Sequence, residues 1–167
     1  MKSKGNLVFL GMMGSGKTSI GKLVSKKLKL KFLDIDQLIE ENLKMDISKI
    51  FSKKGEKFFR DLEEKTTLEI LKKKNIVIAL GGGAFLNNNI RREILKSHIS
   101  IWLYCSDDIL INRIKNSSKR PLAFNLKKNE LIELIKKRSD IYSKALYRIE
   151  CNELSKNEVV KKILNLI

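Results

Sequence analysis

The sequence predicts a parallel α/β fold in a single domain of 167 residues. Three observations carry that expectation. Short, nearly continuous apolar runs recur along the chain, segments of helical periodicity separate them, and the first run leads straight into a glycine-rich loop with a helical pattern behind it. Taken in order, "NLVFL" (6–10) is the first strand candidate, and "GMMGSGKTS" (11–19) follows it. Ile20, Leu23, Val24 and Leu28 then repeat at helical spacing with lysines on the other face. "FLDI" (32–35) is the second strand, and Leu38, Ile39 and Leu43 mark the next helix. "KFFRDLEEKTTLEILKKK" reads as a long charged helix, "IVIAL" (76–80) as the third strand and "GGGAF" (81–85) as a loop leaving it. "IRREILKS" is helical, "ISIWLYC" (99–105) is the fourth strand, and "DDILINRIKN" and "NELIELIKKRSDIYSKAL" are helices. "YRIEC" (147–151) is the fifth strand, and the final helix opens on Ser155 with Glu158 three residues later, a capping box. Apolar runs this continuous are what strands covered on both faces require.

Composition narrows the function classes. Hydrophobic content of 43% beside 32% charged residues is ordinary for a folded globular chain. No apolar stretch approaches the ~20 residues that span a membrane, and the run before Gly11 is too short and lacks the cleavage site of a signal peptide. A cytoplasmic protein without membrane partners is expected. Cys105 and Cys151 each lie in a strand-like run without metal spacing and read as reduced core thiols. The formal charge of +16 invites a nucleic-acid reading, but the lysines are scattered in twos and threes and aromatics are only 7%. Base-stacking platforms are therefore scarce, and solvated helix faces account for the charge. A positive field would still speed encounter with anionic substrates. His98 is the only histidine, so neither a histidine metal cluster nor a serine triad can be built, and its place at a helix end makes it structural.

Gly11-x-x-x-x-Gly16-Lys17-Thr18 is a complete Walker A pattern with a strand before it and a helix behind it. Its glycines let successive amides curl into an anion nest, Lys17 suits the β and γ phosphates, and the Thr18 hydroxyl suits magnesium. "DID" (34–36) ends the second strand, where α/β sheets bind ligands, and positions i and i+2 of a strand face the same side. One carboxylate would serve the magnesium shell and the other the acceptor, while helix capping by Asp36 is the competing explanation. In "GEKFFRDLE" (55–63), Arg60 and Glu63 are an i, i+3 pair. They are either a surface ion pair or a guanidinium oriented toward an anionic substrate, with Arg138 a second candidate for that anion. "NSSKRPLAFNLKKN" (116–129) holds the only proline and reads as a mobile loop, from which Arg120, or Lys119 in its place, would fold over the phosphates.

"GMMGSGKTSIGKLVSKKL", "FLDID", "ISKIF", "GEKFFRDLE", "GGGA", "KRPL" and "KRSDIY" together resemble the shikimate kinase family over essentially the whole chain. The resemblance implies a P-loop kinase fold: a three-layer α/β/α sandwich with a five-stranded parallel sheet, a mobile lid at about 114–127 and a substrate-binding region at about 36–63. It implies ATP-dependent phosphorylation of the 3-hydroxyl of shikimate, with Mg2+ accompanying ATP. Position by position it implies Lys17, Asp36 and Arg120 as catalytic residues. ATP would lie on Gly14, Ser15, Gly16, Lys17, Thr18 and Ser19, with Arg113 against adenine and Arg120 above the phosphates. Ser155 and Lys156 align only loosely with adenine contacts. Shikimate would meet Asp36, Arg60, Gly81, Gly82, Gly83 and Arg138, with Glu63 bracing Arg60 and Phe51 and Phe59 packing against the ring. Thr18 and, through water, Asp34 would hold magnesium. Whether Asp36 is a base or only orients the hydroxyl stays open.

Two other readings share part of this pattern. A P-loop kinase of gluconate or of a nucleoside monophosphate would keep the ATP site without needing Arg60, the triple glycine and Arg138 to converge. A basic nucleic-acid-binding NTPase would need a continuous basic groove, which the dispersed lysines oppose. The expected partners are therefore shikimate and ATP, with no nucleic acid, and a monomer is expected because no apolar interface stripe stands out.

Overall fold

Four consecutive apolar residues, Leu7–Leu10, form β1, and all four are buried. The computed structural model describes residues 5–116 and 126–167. After β1 the chain runs through α1 (Lys17–Leu28), β2 (Lys31–Asp34), α2 (Ile35–Leu43), α3 (Ile47–Leu71), β3 (Ile76–Ala79), a short 3-10 turn (Ala84–Leu86) and α4 (Asn88–Ser97). Then follow β4 (Ile99–Tyr104), α5 (Asp107–Lys115), α6 (Lys128–Tyr142), β5 (Tyr147–Glu150) and α7 (Lys156–Leu164). The sheet order is β2-β3-β1-β4-β5 and every pairing is parallel. Because β1 and β3 are buried along their whole length, both faces of the sheet are covered. α1 packs against α7, α3 against α4 and α5 against α6. The parallel α/β sheet is the one the strand and helix pattern predicts, and the three-layer α/β/α arrangement with five strands is the one the family resemblance implies.

The strand order explains where ligands can enter. β1 lies between β3 and β4, so the connections from its two neighbours leave in opposite directions and open a crevice at the carboxyl end of β1. The glycine-rich loop begins there. Gly16 stands at the N-cap of α1 with φ 96°, a conformation that favours glycine, and Ser15 N–H donates to the Met12 carbonyl at 3.1 Å.

Three local expectations change. Asp36 is not the helix cap and does not share a strand face with Asp34. The Asp34 carboxylate itself accepts from the Asp36 and Gln37 N–H groups, at 3.1 and 3.3 Å, so the helix starts at Ile35 and Asp36 sits in its first turn. The long charged helix begins earlier than its charge pattern, at Ile47, and is broken at Gly55, whose φ of 83° and ψ of 166° are not helical. Cys105 and Cys151 lie just past the ends of β4 and β5, both buried and not joined in a disulfide.

Other expectations hold. Ser155 and Glu158 form the reciprocal capping box of α7. His98 closes α4, and its Nδ1 accepts from the Asn6 N–H at 3.0 Å, a structural role. Of the proposed lid, residues 117–125, with Arg120 and Lys119, lie outside the described residues. Among the described residues no helix is long and apolar enough to cross a membrane.

Candidate active site

The phosphate loop is held by its own lysine. Lys17 Nζ donates to the carbonyls of Gly11 at 2.9 Å and Met12 at 3.0 Å, which bends the loop around the ammonium. Next to it Thr18 Oγ1 donates to Asp34 Oδ2 at 2.6 Å. The same Asp34 carboxylate caps α2 through its other oxygen, so one side chain ties the start of α1 to the end of β2.

A cavity of about 270 Å³ opens beside this pair. Its lining includes Lys17, Thr18, Asp34 and Asp36 together with Phe51, Phe59, Arg60, Glu63, Gly82, Gly83 and Arg138. Arg60 Nη1 donates to Glu63 Oε2 at 2.7 Å, and its guanidinium stands over the ring of Phe59, 5.2 Å from the centroid. Phe51 and Phe59 stack on each other at 4.7 Å. Arg60 and Glu63 are thus not a surface ion pair: the Glu63 side chain is only 3% exposed. Both lie on the half of α3 that follows the break at Gly55. Glu40 fastens the entry to α3 by accepting from the Ile47 N–H at 3.0 Å.

The triple glycine brings the β3 loop close. A Cβ on Gly81 would come within 2.5 Å of Asp36 Oδ1 and 2.6 Å of Glu63 Oε1, and one on Gly83 within 2.5 Å of Arg60 Nη1. Gly81 therefore packs behind the carboxylates without lining the cavity, whereas Gly82 and Gly83 face it. Arg138, buried on α6, reaches the same place, its Nη1 donating to Met12 Sδ at 3.7 Å. Tyr142, one turn further on, donates its hydroxyl to the Gly82 carbonyl. The Glu63 Oε1 and Arg138 Nε atoms are buried with no hydrogen-bond partner among the described residues. Buried polar atoms normally have one.

Electrostatics follow from this crowding of carboxylates. Burial, then the neighbouring charges of Glu63 and Asp34, push the Asp36 carboxyl up to about 7, with Lys17 opposing. Burial also raises Glu63, which Arg60 partly offsets. A carboxyl near neutrality beside a phosphate loop can accept or give a proton at ordinary pH.

A second cavity lies on the other side of the loop, lined by Gly14, Ser15, Gly16, Ser19, Arg113, Cys151, Leu154, Lys156 and Val159 among others. Arg113 Nη1 donates to the Gly14 carbonyl at 2.9 Å. Lys156 faces this cavity, while Ser155 is occupied as the cap of α7. The sequence reading missed Met12, Met13, Gln37, Tyr142, Cys151 and Leu154. Met12 and Met13 are variable positions of the Walker A stretch and Tyr142 ends the "KRSDIY" motif, but only the fold shows which of these side chains reach the site.

Comparison with known proteins agrees with this geometry. The family model described as "Shikimate kinase" matches residues 13–167. A shikimate kinase of Thermodesulfovibrio yellowstonii is 42% identical over 160 residues, covering 95% of this chain and 92% of that one. One from Clostridium botulinum strain Alaska E43 is 43% identical, with 97% of each chain covered. Among solved structures, shikimate kinase from Acinetobacter baumannii in complex with shikimate superposes with a TM-score of 0.92 at 32% identity, over 99% of this chain and 93% of that one. A gluconokinase from Sinorhizobium meliloti reaches a TM-score of 0.62 at 14% identity over 99% and 92%, a likeness of fold alone. With the phosphate loop, the arginine–carboxylate cavity and these relatives in agreement over nearly the whole chain, this protein belongs to the shikimate kinase family.

Proposed function

We propose that the chain transfers the γ-phosphoryl group of ATP to the 3-hydroxyl of shikimate, giving shikimate 3-phosphate and ADP. The observation that carries this reading is the convergence of Asp36, Arg60, Glu63 and Arg138 on one cavity that Lys17 and Thr18 also line. A cyclic acid with several hydroxyls presents one carboxylate and a set of hydrogen-bonding oxygens, which is the complement of two guanidiniums and a carboxylate.

Each residue then has a task. Arg138 and Arg60 take the acid's carboxylate, and Glu63 keeps Arg60 in place through the 2.7 Å bond. Phe51 and Phe59 pack against the ring, and the Gly82–Gly83 backbone bounds it from the β3 side. Asp36 orients the attacking hydroxyl and takes its proton, for which a carboxyl near 7 is well matched. The amides of Gly14, Ser15, Gly16, Thr18 and Ser19 cradle the phosphates at the start of α1, and Arg113 borders the base in the second cavity. Lys17 turns from the loop carbonyls to the phosphates and stabilises charge on the transferring group. Arg120 joins it there, a role that rests on the sequence motif.

Magnesium fits the donor set at the loop. Thr18 and Asp34 offer hard oxygens 2.6 Å apart, and magnesium takes few protein oxygens, completing its shell with water and phosphate. Thr18 would hold it directly and Asp34 through water. When bound, the ion neutralises charge on the β and γ phosphates.

The deciding experiment is ADP release from Mg-ATP in parallel reactions containing shikimate, gluconate, AMP or single-stranded DNA. Release that rises with shikimate alone is expected. A rise with another acceptor and none with shikimate would overturn the assignment.

A further inference from the structure

Two thiols stand together under the phosphate loop, and the proposed reaction uses neither. β4 and β5 run parallel in the register Tyr104–Glu150, so the next residues, Cys105 and Cys151, are neighbours across the strands. The Cys151 N–H donates to the Tyr104 carbonyl at 2.9 Å, which keeps the two chains paired at this level. Adjacent strands lie ~4.8 Å apart, within the ~4.4–6.8 Å Cα separation that a disulfide spans. The Cys151 thiol itself donates to the Ile149 carbonyl at 3.4 Å. Cys105 Sγ also approaches the Ser15 carbonyl at 3.9 Å and accepts from Arg113 Nη1 at 3.8 Å. Arg113 in turn holds the Gly14 carbonyl. Cys151 is the member of the pair that reaches the second cavity, among Gly14, Ser15, Gly16 and Arg113.

We infer that Cys105 and Cys151 are an oxidisable dithiol, converted by a small peroxide to a disulfide that weakens nucleotide binding at the phosphate loop. The effect on nucleotide rests on the reading that this cavity takes part of ATP. The chemistry favours Cys105 as the attacking group. The neighbouring Cys151 thiol, and after it the Arg113 guanidinium, lower the Cys105 thiol to about 7, while Cys151 is raised. The Cys105 thiolate attacks one oxygen of hydrogen peroxide, the O–O bond breaks, and hydroxide leaves and is protonated to water, giving a sulfenic acid. Cys151 sulfur then attacks the Cys105 sulfur, the S–O bond breaks, and the Cys151 proton leaves with the hydroxyl as a second water. Both cysteines are oxidised by one electron each, and the peroxide is reduced by two. Oxidation removes the Cys105 thiol from the Ser15 carbonyl and removes the negative sulfur beside Arg113, so two anchors of the loop are lost together. A nucleotide seated in the cavity covers Cys151 and blocks the entry of peroxide.

The test uses the intact wild-type chain, reduced and then exposed to hydrogen peroxide with and without saturating ADP. The reduced preparation is first shown to bind ADP, so that a failure there falls on the nucleotide reading and not on the thiols. The expected result is a Cys105–Cys151 linked peptide by mass spectrometry, formed at least ~10-fold more slowly with ADP present. A ~10-fold weaker ADP affinity, restored by dithiothreitol, should accompany it, a factor of ten in Kd being 1.4 kcal/mol. Oxidation that stops at single-cysteine sulfinic acid without a linked peptide would overturn the pairing. A linked peptide whose rate ignores ADP and whose formation leaves ADP affinity unchanged would overturn the coupling to nucleotide.

Discussion

In the role proposed for it, Asp36 would serve chemistry at a cost to stability. Its carboxyl has neighbours Asp34, Glu40 and Glu63, and burial plus like charge raise it from 3.8 to about 7. Because the folded value exceeds the unfolded one, the folded chain binds more protons, and stability falls as pH climbs from about 4 to about 7. Asp36→Asn removes that charge. It should raise the melting temperature at about pH 8 by a few degrees, a gain that shrinks toward about pH 5, while kcat drops by about 10²- to 10⁴-fold. In the wild type, kcat/KM should decline as pH falls through about 7, since the base must be ionised. A flat profile across that range would leave Asp36 with only an orienting role. Arg138 makes a separate case. Its Nε is buried with no hydrogen-bond partner among the described residues, as the proposed anion clamp requires. Arg138→Ala should weaken shikimate binding by at least ~100-fold in calorimetry, the scale expected when one member of a buried charge pair is cut away. ADP affinity should stay within about threefold; equal loss of both ligands would count against the clamp.

At the level of the element, α3 does the most to build the site. Its halves, 47–54 and 56–71, meet at Gly55, where φ 83° and ψ 166° are open to glycine and strained for other residues. A Cβ there meets nothing within 4 Å, so any cost of substitution comes from the backbone alone. Gly55→Ala should therefore destabilise the fold by ~1–3 kcal/mol, seen as a lower urea midpoint with an unchanged m-value. It should also raise KM for shikimate more than KM for ATP, because Phe59, Arg60 and Glu63 all ride on the second half of the helix. A straightened helix with unaltered substrate KM would show that the kink does not aim these side chains. The start of α2 illustrates a related point. Capping by Asp34 instead of Asp36 frees Asp36 for the cavity, and two residues that look equivalent in the sequence take different work.

Across the whole molecule the charge is the dominant feature. A formal +16 spread over 167 residues repels itself in the folded state and draws anions from a distance. Among the described residues few lysines form ion pairs: the exposed bridges include Lys57–Asp61 and Lys49–Asp46, contacts that contribute little. Added salt should therefore raise the melting temperature of the ligand-free chain between about 20 and about 200 mM sodium chloride, as screening shortens the reach of the repulsion. The same salt should raise the apparent KM for ATP. A melting temperature that falls with salt would mean that attractive pairs outweigh the repulsion.

What the sequence determined by itself is whatever depends on neighbours along the chain. Apolar runs became β1 to β5, periodic segments became helices, and the spacing from Gly11 to Thr18 became a phosphate loop, because each is decided by backbone geometry and side-chain period within a few residues. The cap at Asp34 was local as well, yet two aspartates at a strand–helix junction compete for it, and only the path of the backbone chose between them. Tertiary structure alone decided the rest. Arg138 reaches Met12, Tyr142 reaches Gly82, and Cys105 meets Cys151 because the order β2-β3-β1-β4-β5 sets distant segments side by side. No periodicity encodes such meetings. They follow from burying both faces of one sheet, a requirement satisfied by the whole chain at once.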